Sequence, residues 1–494
     1  MSLTILVFLS SGLFLGWSLG ANDASNVFGT AVGTRMVKFS TAAIVCSIFV
    51  IWGATVGGAG AAHTLGQLGS VNAIAGSFMV ALAAAITVYW MTTLGIPVST
   101  TQAIVGAIIG WNLFSGSITD LSALIKIFGT WVACPLLAAL IAMPIYKLVK
   151  IILSISKLHL VRLDALTRIG LILGGAFGSY ALGANNISNV MGVFVPVSPF
   201  TNFKIFDTFQ VTGVQQLFFV GALAIAVGVF TYSKRVMVTV GGGLMPLSPI
   251  GAWVVVVAQS VVLLLFASEG LEHWLAVRNL PTIPLVPVSS SQAVVGAVIG
   301  IGLLKGGKGI SWRVLGRISS GWVTTPVISA SICFVSLFFL QNVFNQAVYN
   351  KVYYNINAPV LAKLETDGIK KAQLKNAVNK KFDNAVEFRK KLISFNTMDR
   401  DQVAKVIERS EIYPIYIDEK KLKLTDFSWF NEDDIATLYQ LSGSTFEHKW
   451  QLKDALSALS ESWKPLPNIK KNKLANKSIN QKLSYVIRTF HVKD

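Results

Sequence analysis

Apolar residues along this chain come in runs of about twenty, the length at which a helix crosses a bilayer. Ten such runs are visible: 3–20 continuing to 33, 39–58, 71–93, 98–115 and 126–148, then 169–195, 209–232, 249–268, 287–304 and 318–345. Two of them are interrupted where they should be most apolar. The interruptions are Gly20-Ala21-Asn22-Asp23-Ala24-Ser25-Asn26 and Gly183-Ala184-Asn185-Asn186-Ile187-Ser188-Asn189. Amide and carboxyl groups in hydrocarbon cost several kcal/mol unless something binds them, so both stretches are candidate functional sites. After residue 345 the pattern turns polar and amphipathic, and predicts helices with a strand segment near Ile412–Leu424.

The two sets of five runs repeat each other. GANDASNV at 20–27 returns as GANNISNV at 183–190, and Pro97–Ala107 returns as Pro287–Ala297. Trp131-Val132-Ala133-Cys134-Pro135 returns as Trp322-Val323-Thr324-Thr325-Pro326. An odd number of crossings per repeat inverts the second copy, and inverted repeats meeting at midplane are a secondary-transporter architecture. The predicted fold is an all-α polytopic membrane protein with two inverted repeats of about five segments, including discontinuous and half-helices. The predicted divisions are 1–148, a basic inter-repeat loop at 149–168, 169–345, and a polar, mostly helical domain at 346–494.

Composition and charge fit this reading. The 494 residues are 53% apolar and 13% charged, which excludes an ordinary soluble enzyme. The net charge of +18 does not call for nucleic acid, because much of the excess lies in short loops between apolar runs. With the N-terminus outside, Arg35, Lys38, Lys147, Lys150, Lys157, Arg162, Arg168, Lys234, Arg235, Lys305, Lys308, Arg313 and Arg317 fall inside; Lys126, Lys204 and Arg278 are exceptions. Ten crossings would put the tail on the side of the N-terminus, whereas its Lys-rich composition would suit the cytosol. The first run lacks a basic n-region and is expected to be retained. Cys46, Cys134 and Cys333 lack metal-ligand spacing and are expected to pack.

Candidate chemistry sits in the repeated polar blocks. Asp23 is the only carboxylate within an expected membrane segment; Asp120, Asp164, Asp207, Glu269 and Glu272 are expected in loops. Asn22 and Asn26 share a helix face, as do Asn185 and Asn189, and the small residues around them permit close backbone approach or local unwinding. Carboxylate and amide oxygens suit Na⁺, and Asp23 could instead carry a proton. Pro97-Val98-Ser99-Thr100-Thr101-Gln102 and Pro287-Val288-Ser289-Ser290-Ser291-Gln292 read as starts of half-helices inside the membrane. Such N-termini, ringed by hydroxyls, suit an anion gripped from two sides. His63 is expected as a loop or capping residue, and Trp131 with Pro135 and Trp322 with Pro326 as kinked packing helices. No nucleophile–base pair or Walker loop is present, so neither an enzyme nor an ATP-driven pump is expected.

These paired blocks resemble the signatures of the inorganic phosphate transporter (PiT) family, over roughly residues 1–345. The resemblance implies secondary active uptake of inorganic phosphate, with sulfate as the alternative anion, coupled to Na⁺ or H⁺. It places Ser99, Thr100, Thr101, Gln102, Ser289, Ser290, Ser291 and Gln292, with Asn22 and Asn185, at the phosphate, and Asp23, Asn26, Asn186 and Asn189 at the cation. The family often has Asp in both signatures, where this chain has Asn186 in the second. No cofactor is expected beyond the co-transported cation. The expected partners are the anion, the cation, the lipid bilayer of a plasma (inner) membrane crossed many times and, as one option, a second copy in a homodimer. A membrane sensor of anions, signalling through the tail, is the reading from another class.

Overall fold

A computed structural model describes residues 3–492 apart from 70, 95–97, 157, 206–208, 241–244, 308, 375–376, 396, 468 and 470–471. Pro97, Lys157, Asp207 and Lys308, with the side chains of His63 and Lys204, lie outside the described residues. The apolar runs form helices α1 (Leu3–Gly33), α2 (Phe39–Gly57), α3 (Ala59–Leu68), α4 (Ile74–Thr93), α5 (Thr100–Ser115) and α6 (Leu121–Ser156). They continue with α7 (Leu160–Met191), α8 (Gly213–Thr231), α9 (Ser233–Val240), α10 (Pro249–Ala267), α11 (Glu269–Val277), α12 (Ser290–Leu304) and α13 (Trp312–Asn342). A short hairpin, β1 (Phe203–Ile205) with β2 (Phe209–Val211), separates α7 from α8.

Among the described residues, α1, α2, α4, α6, α8, α10 and α13 are long and apolar enough to cross a membrane. The outer faces agree with that. On α6, Val132, Leu136 and Leu140 are exposed, as are Val323, Val327 and Phe338 on α13. So large an apolar surface is stable only against lipid or another protein. At 16 and 15 residues, α5 and α12 extend about 24 and 22 Å, short of a hydrocarbon core of about 30 Å.

Several expectations of local structure are corrected. The basic stretch around 149–168 is not a loop: α6 runs to Ser156 and α7 begins at Leu160. With 36 and 32 residues, these helices are about 54 and 48 Å long, so their basic ends project beyond the hydrocarbon. Nor do the signatures unwind: both lie inside the continuous helices α1 and α7. Their small residues serve close approach instead. A Cβ on Gly20 would lie 2.0 Å from the Ile225 carbonyl oxygen, and one on Gly183 would lie 2.2 Å from that of Val50. Asp164, Glu269 and Glu272, expected in loops, lie in the helices α7 and α11.

The packing is reciprocal. α1 packs on α8 as α2 packs on α7, and α5 packs on α13 as α12 packs on α6. Gly106 of α5 abuts the Pro326 carbonyl of α13, at 2.2 Å from a notional Cβ; Gly296 of α12 abuts the Pro135 carbonyl of α6, at 2.0 Å. Prolines at these points lie within the helices α6 and α13.

The remaining residues build β3 (Tyr353–Asn355), α14 (Ala358–Thr366), β4 (Lys381–Phe382), α15 (Ala385–Ser394), α16 (Arg400–Ser410), β5 (Glu411–Ile412) and β6 (Ile415–Tyr416). α17 (Glu419–Leu424), α18 (Glu432–Gln440), β7 (Thr445–Phe446), α19 (Lys449–Leu459) and α20 (Lys473–Phe490) follow. The strand segment expected to reach Leu424 stops at Tyr416, because Asp418 caps α17 by accepting from the Lys421 amide. Two small apolar cores, one around Phe388 and one around Trp463, hold this region together. It sits on the end of the helix bundle that carries the α5 C-terminus. There Trp111 Nε1 donates to the Val348 carbonyl (3.0 Å), and Asn72 and Asn350 exchange three hydrogen bonds.

Candidate anion and cation site

The four polar blocks converge in the bundle interior. Ser99 and Ser289 take extended backbone and cap α5 and α12, their hydroxyls accepting from the amides of Gln102 (3.4 Å) and Gln292 (3.3 Å). The first-turn amides of both helices lack intrahelical acceptors and carry the positive end of the helix dipole. Extended segments before the two starts meet: Thr101 Oγ1 donates to the Val288 carbonyl (3.3 Å), and Ser291 Oγ to that of Val98 (3.5 Å).

The signatures reach across to these starts. Asp23, 2% exposed, accepts from Ser290 Oγ at 2.8 Å on one oxygen and from Asn22 Nδ2 at 2.9 Å on the other. Asn26 Nδ2 donates to the same Ser290 hydroxyl (3.2 Å). From α7, Asn189 Nδ2 donates to Thr101 Oγ1 (2.9 Å) and to Asn186 Oδ1 (3.0 Å). Asn185 engages both ends of its amide with backbone, Oδ1 accepting from Val288 N (3.0 Å) and Nδ2 donating to the Leu263 carbonyl (3.3 Å). It thereby clasps the segment that leads into α12. All fourteen site residues picked out from the sequence are buried except Asn26, which is half-buried.

Several of these groups are buried without partners. Thr100 Oγ1, Gln102 Oε1, Asn186 Nδ2, Asn189 Oδ1 and Gln292 Oε1 have none. An unsatisfied buried polar atom costs about 1–3 kcal/mol, so a cluster of five points to a polar ligand. The two halves differ here. Where Asp23 holds the Ser290 hydroxyl, the matching Asn186 and Thr100 leave polar atoms open.

Gln259 of α10 was missed in the sequence. It is fully buried, donates from Nε2 to the Asn26 carbonyl (2.8 Å), and leaves Oε1 unpartnered. It has no counterpart in the repeat, so a search weighted towards matched blocks passes over it. A lone amide in the apolar run Ala252–Phe266 was the available signal. Cys134 Sγ donates to the Ser289 carbonyl (3.6 Å), tying α6 to the same start.

Comparison with known proteins follows the same residues. The family described as "Phosphate transporter family" matches residues 19–333 and 274–488. A Methanocaldococcus jannaschii protein named "Putative phosphate permease" is 27% identical, covering 65% of this chain and 93% of its own length. A Bacillus subtilis protein named "Sulfate permease CysP" is also 27% identical, covering 65% of this chain and 84% of its own. A solved structure, "The sodium-dependent phosphate transporter", shares the fold at a TM-score of 0.54, with 23% identity over 68% of this chain and all of that one.

Proposed function

The chain belongs to the phosphate transporter family, and from that premise we propose that it takes up inorganic phosphate by symport with Na⁺ or H⁺. It is a multi-pass membrane protein of a transporter family, and the plasma membrane is the proposed location. The observation that carries the reading is the convergence of two hydroxyl-capped half-helix starts with Asp23 and the signature amides in one buried cluster.

In this reading the anion lies between the starts of α5 and α12. It is held by Thr100, Thr101, Ser290 and Ser291, by first-turn amides, and by Gln102 and Gln292. Ser99 and Ser289 act as caps, and Asn22 and Asn185 orient the site from the signatures. No Lys or Arg lies in these blocks, so the anion is neutralised by dipoles and by a co-bound cation. Asp23, Asn26, Asn186 and Asn189 supply that cation with oxygens. Binding of the cation then lowers the cost of bringing the anion in, and this is the coupling.

Residues 1–148 and 169–345 are taken as two inverted repeats that rock about this site. The reciprocal contacts of Gly20 and Gly183, and of Gly106 and Gly296, support a pseudo-two-fold relation. Residues 346–494 form an accessory domain.

Labelled phosphate uptake into proteoliposomes tests the proposal. An inward Na⁺ or proton gradient should drive accumulation; binding without uptake in either gradient would sink it. Sulfate is the second reading, favoured by the equal identity to the Bacillus subtilis sulfate permease. Competition between the two anions in the same vesicles decides it.

A further inference from the structure

A cavity of about 200 Å³ opens on the end of the bundle that carries the tail domain. Val56 and Gly57 of α2, Tyr180 and Ala184 of α7, Leu264 of α10 and Glu269 of α11 line it. Ala184, a buried residue of its wall, is one position from Asn185 on α7. Beside it α3 is in tight contact with the α10–α11 junction: a Cβ on Gly60 would lie 2.5 Å from the Ala267 carbonyl oxygen and 3.1 Å from Glu269 Cγ.

Helix α20 reaches this junction from the tail. Its C-terminal half is fixed in the tail core, with Val486 and Phe490 buried and Lys482 paired with the buried Asp434. Its N-terminal half extends to α11, where Lys477 pairs with Glu269 (2.5 Å) and Lys473 pairs with Glu272. The match is one of register. Lysines spaced i, i+4 share a face of α20, and glutamates spaced i, i+3 share a face of α11. The two acids also suit the N-terminus of α11 through its dipole, but that leaves the two lysines, some two hundred positions downstream, without an explanation. The Glu272 side chain is 11% exposed, and a carboxylate so covered requires a partner.

We propose that α20 is a strap that ties the tail to α11 at the rim of this cavity, so that releasing Lys473 and Lys477 widens the path on the tail side. The connections make it a strap between two parts of the bundle. The tail is anchored to the segment leading into α4 through Asn72–Asn350 and to α5 through Trp111–Val348, while α11 leads through residues 278–289 into α12. With the ion pairs made, the α4–α5 and α11–α12 segments are tied at this end, and rocking apart there requires the pairs to break. That the path serves transport rests on the proposed symport; the strap itself does not.

The test uses the full-length chain carrying Ala184→Cys, a buried position on the inner cavity wall. The native cysteines are buried. In detergent at low salt, the rate of modification by a bulky maleimide reads the opening. Lys473→Glu with Lys477→Glu should raise the rate roughly 3- to 10-fold, the scale of two partly exposed ion pairs. Adding Glu269→Lys with Glu272→Lys should return it towards the starting value. Salt should accelerate labelling of the parent and, by screening four facing carboxylates, slow that of the reversed variant. Equal rates in parent and reversed variant, or no recovery on the charge swap, overturns the strap. Phosphate uptake is followed in parallel. Labelling that responds without uptake in any variant refutes the transport reading and leaves the strap standing. Uptake in the parent, with labelling indifferent to the reversal, does the opposite.

Discussion

Replacing Asp23 by Asn separates the charge of the site from its shape. Asp23 accepts two hydrogen bonds, from Ser290 Oγ and Asn22 Nδ2, and an asparagine of the same outline can keep both contacts. Its oxygen still accepts from Asn22, and its new amide group faces a serine hydroxyl that can rotate to accept. The structural cost is therefore about 1 kcal/mol or less, a neutral hydrogen bond for a charged one. The effect on the cation is larger. A charged ligand is worth about 2–3 kcal/mol more than a neutral one, which is about 30- to 150-fold in affinity. The expected result is a half-saturating Na⁺ concentration (or a proton dependence) for phosphate uptake raised by about that factor. Thermal stability should be little changed, and uptake should partly recover at high cation. An unchanged cation dependence in a well-folded Asp23→Asn protein would refute the assignment of Asp23 to coupling. The same variant should also lose part of its preference for phosphate over sulfate, since a site for hydrogen phosphate needs an acceptor for its proton; competition assays would show an unaltered ratio if that idea is wrong.

Other outcomes follow from particular contacts. Gly106→Ala and Gly296→Ala each force a methyl to about 2 Å from a proline carbonyl oxygen. Both should lower melting by the equivalent of about 1–3 kcal/mol or more. Gly129→Ala, with nothing within 4 Å, should be neutral, and equal melting of all three would contradict the packing described. Gln259→Leu removes the donor to the Asn26 carbonyl at little change in volume. It should weaken cation-dependent uptake about 10-fold, the loss of one buried hydrogen bond, and an unchanged cation titration would exclude Gln259 from the site. Lys482→Met strands the fully buried Asp434 without its cation and should destabilise the tail by about 3–5 kcal/mol, read as early proteolysis within 415–490. A cleavage pattern like that of the parent would count against that pair.

Much of the buried polar cluster was legible in one dimension because its residues violate a local rule. An amide or carboxylate in a run that lipid requires to be apolar is conspicuous, and the repeat marks it twice. The starts of α5 and α12 were legible for the same reason: Ser99 and Ser289 stand where apolar runs should begin, and both cap. Gln259 breaks the same rule once only, without a repeat mate, and was passed over. The continuity of α1 and α7 was not legible either. Small residues allow both an unwound turn and a close contact, and the neighbouring carbonyls of Ile225 and Val50 decide between them.

The amino-acid sequence by itself determined the apolar runs, the doubled polar blocks and the occurrence of Asp23 within one of them, since bilayer thickness and the cost of polar groups in lipid act on each segment separately. Only the tertiary structure decided which polar group meets which. Asp23 meets Ser290 across 267 positions, Asn189 meets Thr101 across 88, and Lys477 meets Glu269 across 208. Such pairings depend on how far helices can approach, which is set by carbonyls and missing side chains on the partner helix, and no local pattern records them.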